Sequence, residues 1–312
     1  MLPDPRVLPE TIEIVEVGPR DGLQNEARPV STADKLHLIG ALAHAGVQRI
    51  EATSFVHPAR VPQMADAEAV MAGLPRDRSI VVSGLVLNRR GAERAIAAGC
   101  DELTYAVVAS ETFGQRNQGQ TTEQGLAAWT EVAALARAAG RRTAVVIVTA
   151  FGCPFEGAVD PARVEGIAAH ALEADPDEIA LADTIGVGTP GQVMDLFGRM
   201  RAAVSASRTG RARLRAHFHN TRNTGYANAY AALMAGVTVL DSSAGGVGGC
   251  PFAPRATGNI ATEDLLFLLD GLDIRHGIDR GAVAALDPWL AGVLGHAVPG
   301  QLGKTDAWPP VA

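Results

Sequence analysis

Short apolar runs alternate with longer stretches of helical pattern along most of the chain. The runs are rich in Val, Ile and Leu, which is typical of parallel strands that are buried on both faces. We therefore predict eight strands, which cover residues 12–17, 48–54, 80–87, 102–108, 143–149, 178–183, 214–219 and 237–242.

Ala-rich stretches separate these runs and favour helices. Several of them end at a glycine, a common helix stop, as at Gly46, Gly99, Gly140 and Gly236. We predict helices over residues 32–45, 67–73, 91–98, 122–139, 161–174, 190–206 and 226–235.

Eight strands with helices between them are the elements of a (β/α)8 TIM barrel. The alternative is a doubly wound open sheet, but GPRDGLQNE after the first strand lacks the G-x-G-x-x-G spacing of a nucleotide site. A glycine-rich loop, residues 244–258, and extra C-terminal helices, residues 262–296, follow the eighth strand. We expect one barrel domain over residues 1–312.

Composition and charge exclude several classes of protein. The 312 residues are 47% hydrophobic and 20% charged, which excludes a disordered chain. The net charge of −7 offers no basic excess for nucleic acid, and the longest apolar runs fall short of the roughly 20 residues that span a bilayer. The three cysteines are too few for a disulfide framework, and MLPDPRVLPE does not have the pattern of a signal or transit peptide. We expect a cytoplasmic protein that binds neither nucleic acid nor membrane.

Polar residues stand where several predicted strands end. In barrel enzymes the active site lies at that end of the strands. The strand-end residues that carry ionisable or hydroxyl side chains are Arg20, Asp21, Glu51, Ser54, Asp183, Thr184, His217, His219 and Asp241.

The His217-x-His219 pair is the most specific of these signals. Residues i and i+2 of a strand point to the same face, so both imidazoles can meet one ion. Two imidazoles with a carboxylate suit a divalent metal. An isolated pair would more often be solvent-facing, but the acids on other strands favour the metal site.

Three other residues have two interpretations each. Glu51 stands in an apolar run, so we expect it to be buried with Arg20 as its partner, although it would otherwise be an ordinary surface acid. Asp183 is either a site acid or a helix cap. Cys250, in the segment AGGVGGCPF, is either an incidental cysteine or a proton donor whose free thiol pKa is near ~8.5.

Taken together, nine stretches of the chain resemble the 3-hydroxy-3-methylglutaryl-CoA lyase family of metal-dependent TIM-barrel enzymes. They occur in order over most of the chain. They are EVGPRDGLQNE (16–26), IEATSFV (50–56), VPQMAD (61–66), ASETF (109–113), FGCPFEG (151–157), ADTIGVGTPG (182–191), HFHNT (217–221), GGVGGCPFA (245–253) and TGNIATEDL (257–265).

The resemblance implies a set of site residues and a reaction. It implies Mg2+ or Mn2+ bound by Asp21, His217, His219 and Asn259. It implies as catalytic residues Arg20 at the thioester carbonyl and Cys250 as the acid, with Glu51, Asp183 and His217. Gln24, Ser54, Asn88, Thr184 and Glu263 are expected to bind substrate, with Asn88 next to two arginines as a candidate phosphate site. The implied reaction is a retro-Claisen cleavage of 3-hydroxy-3-methylglutaryl-CoA to acetyl-CoA and acetoacetate, as in leucine degradation.

The chain departs from the family pattern at three positions. Asn220 replaces the usual aspartate after His219, Arg222 replaces a frequent tyrosine, and His57 replaces a common serine. Two interpretations stay open: neutral variation, or a pocket adapted to a different 3-hydroxy-3-alkyl acyl-CoA. A Claisen-type synthase and a non-catalytic barrel that binds metal or acyl-CoA are further alternatives. The expected partner is an acyl-CoA substrate, and a homodimer is left open.

Overall fold

The structure, a computed structural model, describes residues 8–75, 79–249 and 258–306. Eight parallel strands close into a barrel in the order β1-β10-β9-β8-β5-β4-β3-β2, which confirms the predicted fold class. The barrel strands are β1 (Glu13–Glu16), β2 (Arg49–Ser54), β3 (Val81–Val86), β4 (Glu102–Val108), β5 (Arg142–Val148), β8 (Glu178–Asp183), β9 (Arg213–Phe218) and β10 (Val239–Ser242).

Helices connect successive barrel strands and pack against them mainly through one large apolar core, while Phe113 of the helix after β4 packs in a smaller separate cluster. They are α1 (Thr32–His44), α2 (Ala67–Gly73), α3 (Arg89–Ala97), α4 (Glu111–Asn117), α5 (Thr122–Ala138), α6 (Pro161–Glu173), α7 (Pro190–Ala206) and α8 (Gly225–Met234). The predicted helices after the eighth strand are present as α9 (Thr262–Gly271), α10 (Arg280–Ala284) and α11 (Asp287–Leu294). No helix in the described ranges is both long enough and apolar enough to cross a membrane.

Two elements were not predicted. The short helix α4 follows β4, and a hairpin of β6 (Gly152–Cys153) and β7 (Gly157–Ala158) follows β5. Both are too short to show a helical or strand period in the sequence. Each lies in a connection that leaves the C-terminal end of a barrel strand, where function is expected.

The opposite rim of the barrel holds buried charges. Arg49, which begins β2, lies between Glu102 and Glu178, which begin β4 and β8. Its Nη1 and Nη2 donate to the two carboxylate oxygens of Glu178 at 2.7 and 2.6 Å, and Nη2 donates to Glu102 at 2.5 Å. All three side chains are fully buried. The charges compensate one another at the end of the barrel away from the predicted site.

Candidate active site

Arg20 and Asp21 lie in a single helical turn, Gly18–Gly22, that directly follows β1. The turn requires a glycine at Gly22, because a Cβ atom there would lie 2.8 Å from Cγ2 of Val247. Arg20 donates from Nη1 to Asp21 Oδ1 at 2.7 Å and from Nε to Glu51 Oε1. Glu51 is fully buried, so its predicted partnership with Arg20 is confirmed.

Asp21, His217 and His219 converge on one point. Each offers one possible ligand atom, and the three atoms lie within 4.8 Å of one another. The two Nε2 atoms are 3.1 Å apart, and Asp21 Oδ2 lies 3.9 Å from each. Two nitrogens bound to one octahedral ion at about 2.1 Å lie about 3 Å apart, so this spacing fits a divalent cation. The expectation that both imidazoles share one face is confirmed.

The charge states of these groups also suit a cation. Burial opposes ionisation of Asp21, but Arg20 and the two imidazoles outweigh burial and lower its pKa to about 2. Burial, and then His217, lower the pKa of the His219 imidazole to about 3. An ionised carboxylate and a neutral imidazole are the forms that bind metal ions.

Asn259 reaches this cluster because the chain beyond the glycine-rich loop pairs with the end of β9. Its backbone forms an antiparallel bridge with His219. Its Nδ2 donates to Asp21 Oδ2 at 2.9 Å and to the carbonyl of Val247 at 3.1 Å. A magnesium-type ion would bind the amide oxygen instead of this nitrogen. Asn259 therefore stands at the cluster, while its membership of the ligand set stays a prediction.

Asp241, on β10, fixes the orientation of the His217 ring. Its Oδ2 lies 3.0 Å from His217 Nδ1, and its Oδ1 accepts from Nε of Arg215. Burial acts against a charged His217, but the hydrogen bond and charge of Asp241 outweigh burial and raise the pKa of the imidazole. A proton held on Nδ1 by Asp241 leaves Nε2 of His217 facing His219 and Asp21. We had placed Asp241 on the rim from the sequence without a role.

Glu16 joins three segments that build the site. Its fully buried carboxylate accepts from the backbone N–H of Gly18 at 2.8 Å and of Ala244 at 3.0 Å, and from the hydroxyl of Thr262 at 2.6 Å. Burial raises its pKa to about 7 in spite of these hydrogen bonds. The Arg20–Asp21 turn, the glycine-rich loop and α9 are thus fixed to one side chain. Sequence reasoning did not identify Glu16.

The described part of the glycine-rich loop packs against the site. Gly248 has a φ of +119°, and a Cβ there would lie 2.4 Å from Asn259 Nδ2. The amide of Gly245 donates to Glu263 Oε2 at 3.0 Å. The absence of a side chain at Gly248 therefore lets the loop backbone approach Asn259 closely. Cys250 lies outside the described residues, so its role stays a prediction.

A cavity of about 570 Å³ lies at the C-terminal ends of the strands, within the size range of ligand pockets. Seven of the predicted site residues line it, and they are Arg20, Asp21, Gln24, Glu51, Thr184, His217 and His219. Thr184 also accepts from the amide of Thr149 at 3.0 Å. The predicted active-site rim and the cavity therefore coincide.

Five other predicted residues do not line the cavity, as far as the chain is described, and one of them is Asn259, which lies beside the cluster. Asn88 caps the N-terminus of α3 and accepts from the amide of Gly91 at 2.9 Å, and the phosphate site expected there stays a prediction. Asp183 accepts from the amides of Val187 and Gly188, both at 2.9 Å, so it holds the turn after β8, and its catalytic role stays a prediction. Small polar side chains beyond a strand often bind nearby backbone in this way.

The remaining two are Ser54, which is buried in β2, and Glu263, which is buried in α9. Glu263 supports the glycine-rich loop instead of contacting the cavity. The substrate contacts expected of both residues stay a prediction.

The three departures from the family pattern have structural partners. Asn220 accepts from the amide of Gly225 at 3.1 Å, and His57 accepts from the amide of Ala59 at 3.2 Å. Arg222 donates to the carbonyls of Ile185 and Gly186 at 2.9 and 3.0 Å. Within the described chain none of the three lines the cavity, so direct contact between Arg222 and substrate is not supported.

Known proteins share both sequence and fold with this chain. Residues 11–288 match a family model described as HMGL-like. The chain is 42% identical over 305 residues to the (R)-citramalyl-CoA lyase of Chloroflexus aurantiacus, and the alignment covers 95% of each protein. It is 42% identical over 288 residues to the hydroxymethylglutaryl-CoA lyase of Pseudomonas mevalonii, covering 92% of this chain and 94% of that protein.

A solved structure has the same fold. An HMG-CoA lyase from Acinetobacter baumannii, in complex with coenzyme A and 3-methylmalate, has a TM-score of 0.90 and 38% identity. The match covers 97% of each chain. The family match and these near-full-length relatives show that the chain belongs to the HMGL-like family.

Proposed function

We propose that this protein is a carbon–carbon lyase that cleaves 3-hydroxy-3-methylglutaryl-CoA into acetyl-CoA and acetoacetate. The observation that carries the proposal is the convergence of Asp21, His217 and His219 beside the Arg20–Glu51 pair in one cavity. Relatives named hydroxymethylglutaryl-CoA lyases, near 40% identical over most of the chain, support it.

Enzymes of the HMGL-like family depend in general on a divalent metal ion. The residues that would hold the ion here are Asp21, His217 and His219, with Asn259 beside them. When bound there, a divalent cation supplies positive charge that lowers the pKa of a neighbouring hydroxyl group. Mg2+ and Mn2+ both suit this mixture of nitrogen and oxygen ligands.

In this proposal Glu51 accepts the proton of the substrate's C3 hydroxyl. Its Oε1 is engaged by Arg20, whereas its Oε2 is buried without a hydrogen-bond partner among the described residues. As the proton leaves, the C3–O bond becomes a carbonyl and the C2–C3 bond breaks. The electron pair of that bond passes to C2, which gives the enolate of acetyl-CoA.

Arg20 supplies the charge that the enolate needs. Its guanidinium lines the cavity and is fixed by Asp21 and Glu51, so it need not reorganise when negative charge develops on the thioester oxygen. The thiol of Cys250 then donates its proton to C2, and the proton on Glu51 returns to the thiolate through solvent. Gly249, the neighbour of Cys250, lines the cavity.

An acyl-CoA substrate fits the general shape of the site. The cavity has a polar part at the cluster, and exposed side chains such as Arg60, Arg116 and Asn117 line its solvent end. Coenzyme A is bound in the Acinetobacter baumannii structure, which supports the same class of ligand. A place in leucine degradation follows from the proposed substrate and stays part of the proposal.

The second candidate is cleavage of another 3-hydroxy acyl-CoA at the same site. The Chloroflexus aurantiacus relative, named an (R)-citramalyl-CoA lyase, is as similar to this chain as the hydroxymethylglutaryl-CoA lyase of Pseudomonas mevalonii. Such a substrate needs the same bond cleavage and the same charged groups. Only the fit of the acyl group distinguishes the two candidates.

A substrate panel decides between them. The purified protein is supplied with Mg2+ or Mn2+ and either 3-hydroxy-3-methylglutaryl-CoA or citramalyl-CoA, and acetyl-CoA release is measured. We expect the first substrate to be cleaved with a kcat/KM of about 10⁴ M⁻¹s⁻¹ or more. A tenfold preference for citramalyl-CoA would favour the second candidate. No release from either substrate, with retained metal binding, would indicate a non-catalytic barrel.

A further inference from the structure

The cavity is divided into a polar half and an apolar half. The charged lining contributed by the barrel itself comes from β9, β10, β2 and the turn after β1, which are neighbours in the barrel. Arg60 and Arg116, in the segments that follow β2 and β4, line the exposed end of the cavity. Its apolar lining comes from the four adjoining strands β3, β4, β5 and β8. The barrel residues that form this apolar half are Leu85, Ala106, Val146, Val148 and Ala182.

Exposure along β5 shows that the apolar half is open space. Val145 and Ile147 are fully buried on the helix-facing side, whereas Val146 and Val148, which line the cavity, are half-buried. The interior of a TM barrel is normally filled by layers of large branched side chains. At the level of the cavity, β4 and β8 instead present the small side chains of Ala106 and Ala182.

The substituents on C3 of the proposed substrate indicate which group occupies the apolar half. This inference rests on the proposed function. C3 carries a hydroxyl, the bond to C2, a carboxymethyl arm and an alkyl group. The hydroxyl belongs at the cluster of Asp21, and the C2 thioester belongs at Arg20. A carboxylate is costly on an apolar wall, but the exposed end of the cavity offers Arg60 and Arg116. The alkyl group is the one substituent that an apolar wall stabilises.

We propose that the apolar half takes the C3 alkyl group, and that the small side chains of Ala106 and Ala182 leave it open to alkyl chains longer than methyl. A longer alkyl chain against this wall removes more apolar surface from water than a methyl group does. Ala106 and Ala182 are therefore specificity-determining residues for the length of the C3 substituent.

The test uses two series of CoA thioesters with methyl, ethyl, propyl or butyl at C3. The 3-hydroxy-3-alkylglutaryl-CoA series gives kcat/KM. The 3-alkylglutaryl-CoA series lacks the hydroxyl, cannot be cleaved, and gives Kd by calorimetry. We expect Kd to fall about fourfold for each added methylene, as burial of a CH2 group predicts, and kcat/KM to rise along the first series.

Ala106→Phe fills the apolar half, and Ala127→Phe makes the same change on the exposed face of α5 as a control. We expect Ala106→Phe to reduce kcat/KM at least tenfold more for butyl than for methyl, and Ala127→Phe to leave the ratio of the two unchanged. If Ala106→Phe does not fold, Val146→Phe replaces it, and the wild-type series still decides the question.

A wild-type Kd that is flat or weaker from methyl to butyl would overturn the inference. So would an Ala106→Phe variant that loses affinity for free CoA as much as for the acyl series, because the apolar half would then hold the pantetheine arm. Cleavage of the methyl substrate with rejection of ethyl would leave the proposed function intact and refute this inference alone. Absence of all cleavage would refute the function, while the Kd series would still test the apolar half.

Discussion

The Nδ1 atom of His217 lies 3.0 Å from Oδ2 of Asp241, and both side chains are buried. Arg215 holds the other oxygen of the same carboxylate. A carboxylate in this position fixes the ring orientation and tautomer of a metal-binding histidine and increases its basicity. The orientation of the cluster thus depends on Asp241 and Arg215, which also line the cavity, as well as on its own geometry.

We predict that Asp241→Asn weakens Mn2+ binding about 10- to 100-fold, the usual effect of removing such a partner. Asp241 accepts from Nε of Arg215 and contacts Nδ1 of His217. An asparagine amide has only one acceptor oxygen for these two groups, so the orientation of His217 is no longer enforced. Titration of Mn2+ by calorimetry measures the effect, with circular dichroism to verify the fold. Asp195→Asn, at an exposed position on α7, is the control. A folded Asp241→Asn protein with wild-type Mn2+ affinity would refute the role of Asp241.

We predict that Arg20→Met lowers kcat by about 100-fold or more while KM changes much less. The guanidinium is needed most when the enolate develops, so its loss affects the transition state more than the bound substrate. Steady-state kinetics with the best substrate of the panel measures both constants. Arg28→Met, at an exposed arginine bonded to the carbonyl of Gly292, is the matched control. Equal effects of the two substitutions would remove Arg20 from the mechanism.

We predict that Arg49→Met destabilises the fold by about 3–5 kcal/mol, because it removes the hydrogen-bonded cation from between Glu102 and Glu178 and leaves them only the more distant arginines at 3.6–3.9 Å. Urea unfolding measures the change in free energy. Arg89→Met removes the same side chain from the exposed pair with Glu93 and should cost no more than about 1 kcal/mol. Similar losses in the two variants would contradict a special role for the buried cluster.

The stability of the protein should also report the ionisation of Glu263. Burial, and then the charge of Asp287, raise the pKa of Glu263 from 4.5 to about 8. Between these values the unfolded chain has released the proton while the folded protein retains it, so the free energy of unfolding falls as pH rises. Glu263→Gln cannot ionise and lacks this dependence.

Wild type should therefore lose stability relative to Glu263→Gln, by up to about 1.4 kcal/mol per pH unit, from mildly acidic pH to about pH 8. Urea unfolding at a series of pH values gives the difference between the two curves. Glu93→Gln, an exposed acid, should give a curve parallel to wild type. Parallel curves for Glu263→Gln would show that its carboxyl titrates normally.

Much of the barrel was predictable because its strands are buried on both faces and form apolar runs. The predicted bounds of β4 (102–108), β8 (178–183), α2 and α7 agree with the structure residue for residue. The charged rim at Arg49 was not predicted, since a charge at the first position of a strand has the same appearance as a solvated loop end. Its three members become partners only when the barrel closes.

The site was predictable where several residues indicated the same chemistry. It was less predictable where a polar side chain could either bind a ligand or bind nearby backbone. Two imidazoles at i and i+2, with Asp21 after another strand, specified the cluster. Asn88 and Asp183 stand beyond strands as site residues do, but their side chains bind backbone amides. Asp241 carried the same signal as Glu51, an acid within an apolar strand, and that signal identifies it in retrospect.

The most direct test of the central claim is a metal titration of the cleavage reaction. The protein is stripped with a chelator, and Mn2+ is added in steps while acetyl-CoA release from 3-hydroxy-3-methylglutaryl-CoA is followed. The account predicts that release is abolished in the stripped protein, rises with added Mn2+, and levels off at one ion per chain. Full activity after removal of metal, or unaltered titration after His217→Ala, would contradict the assignment of Asp21, His217 and His219 as the metal site.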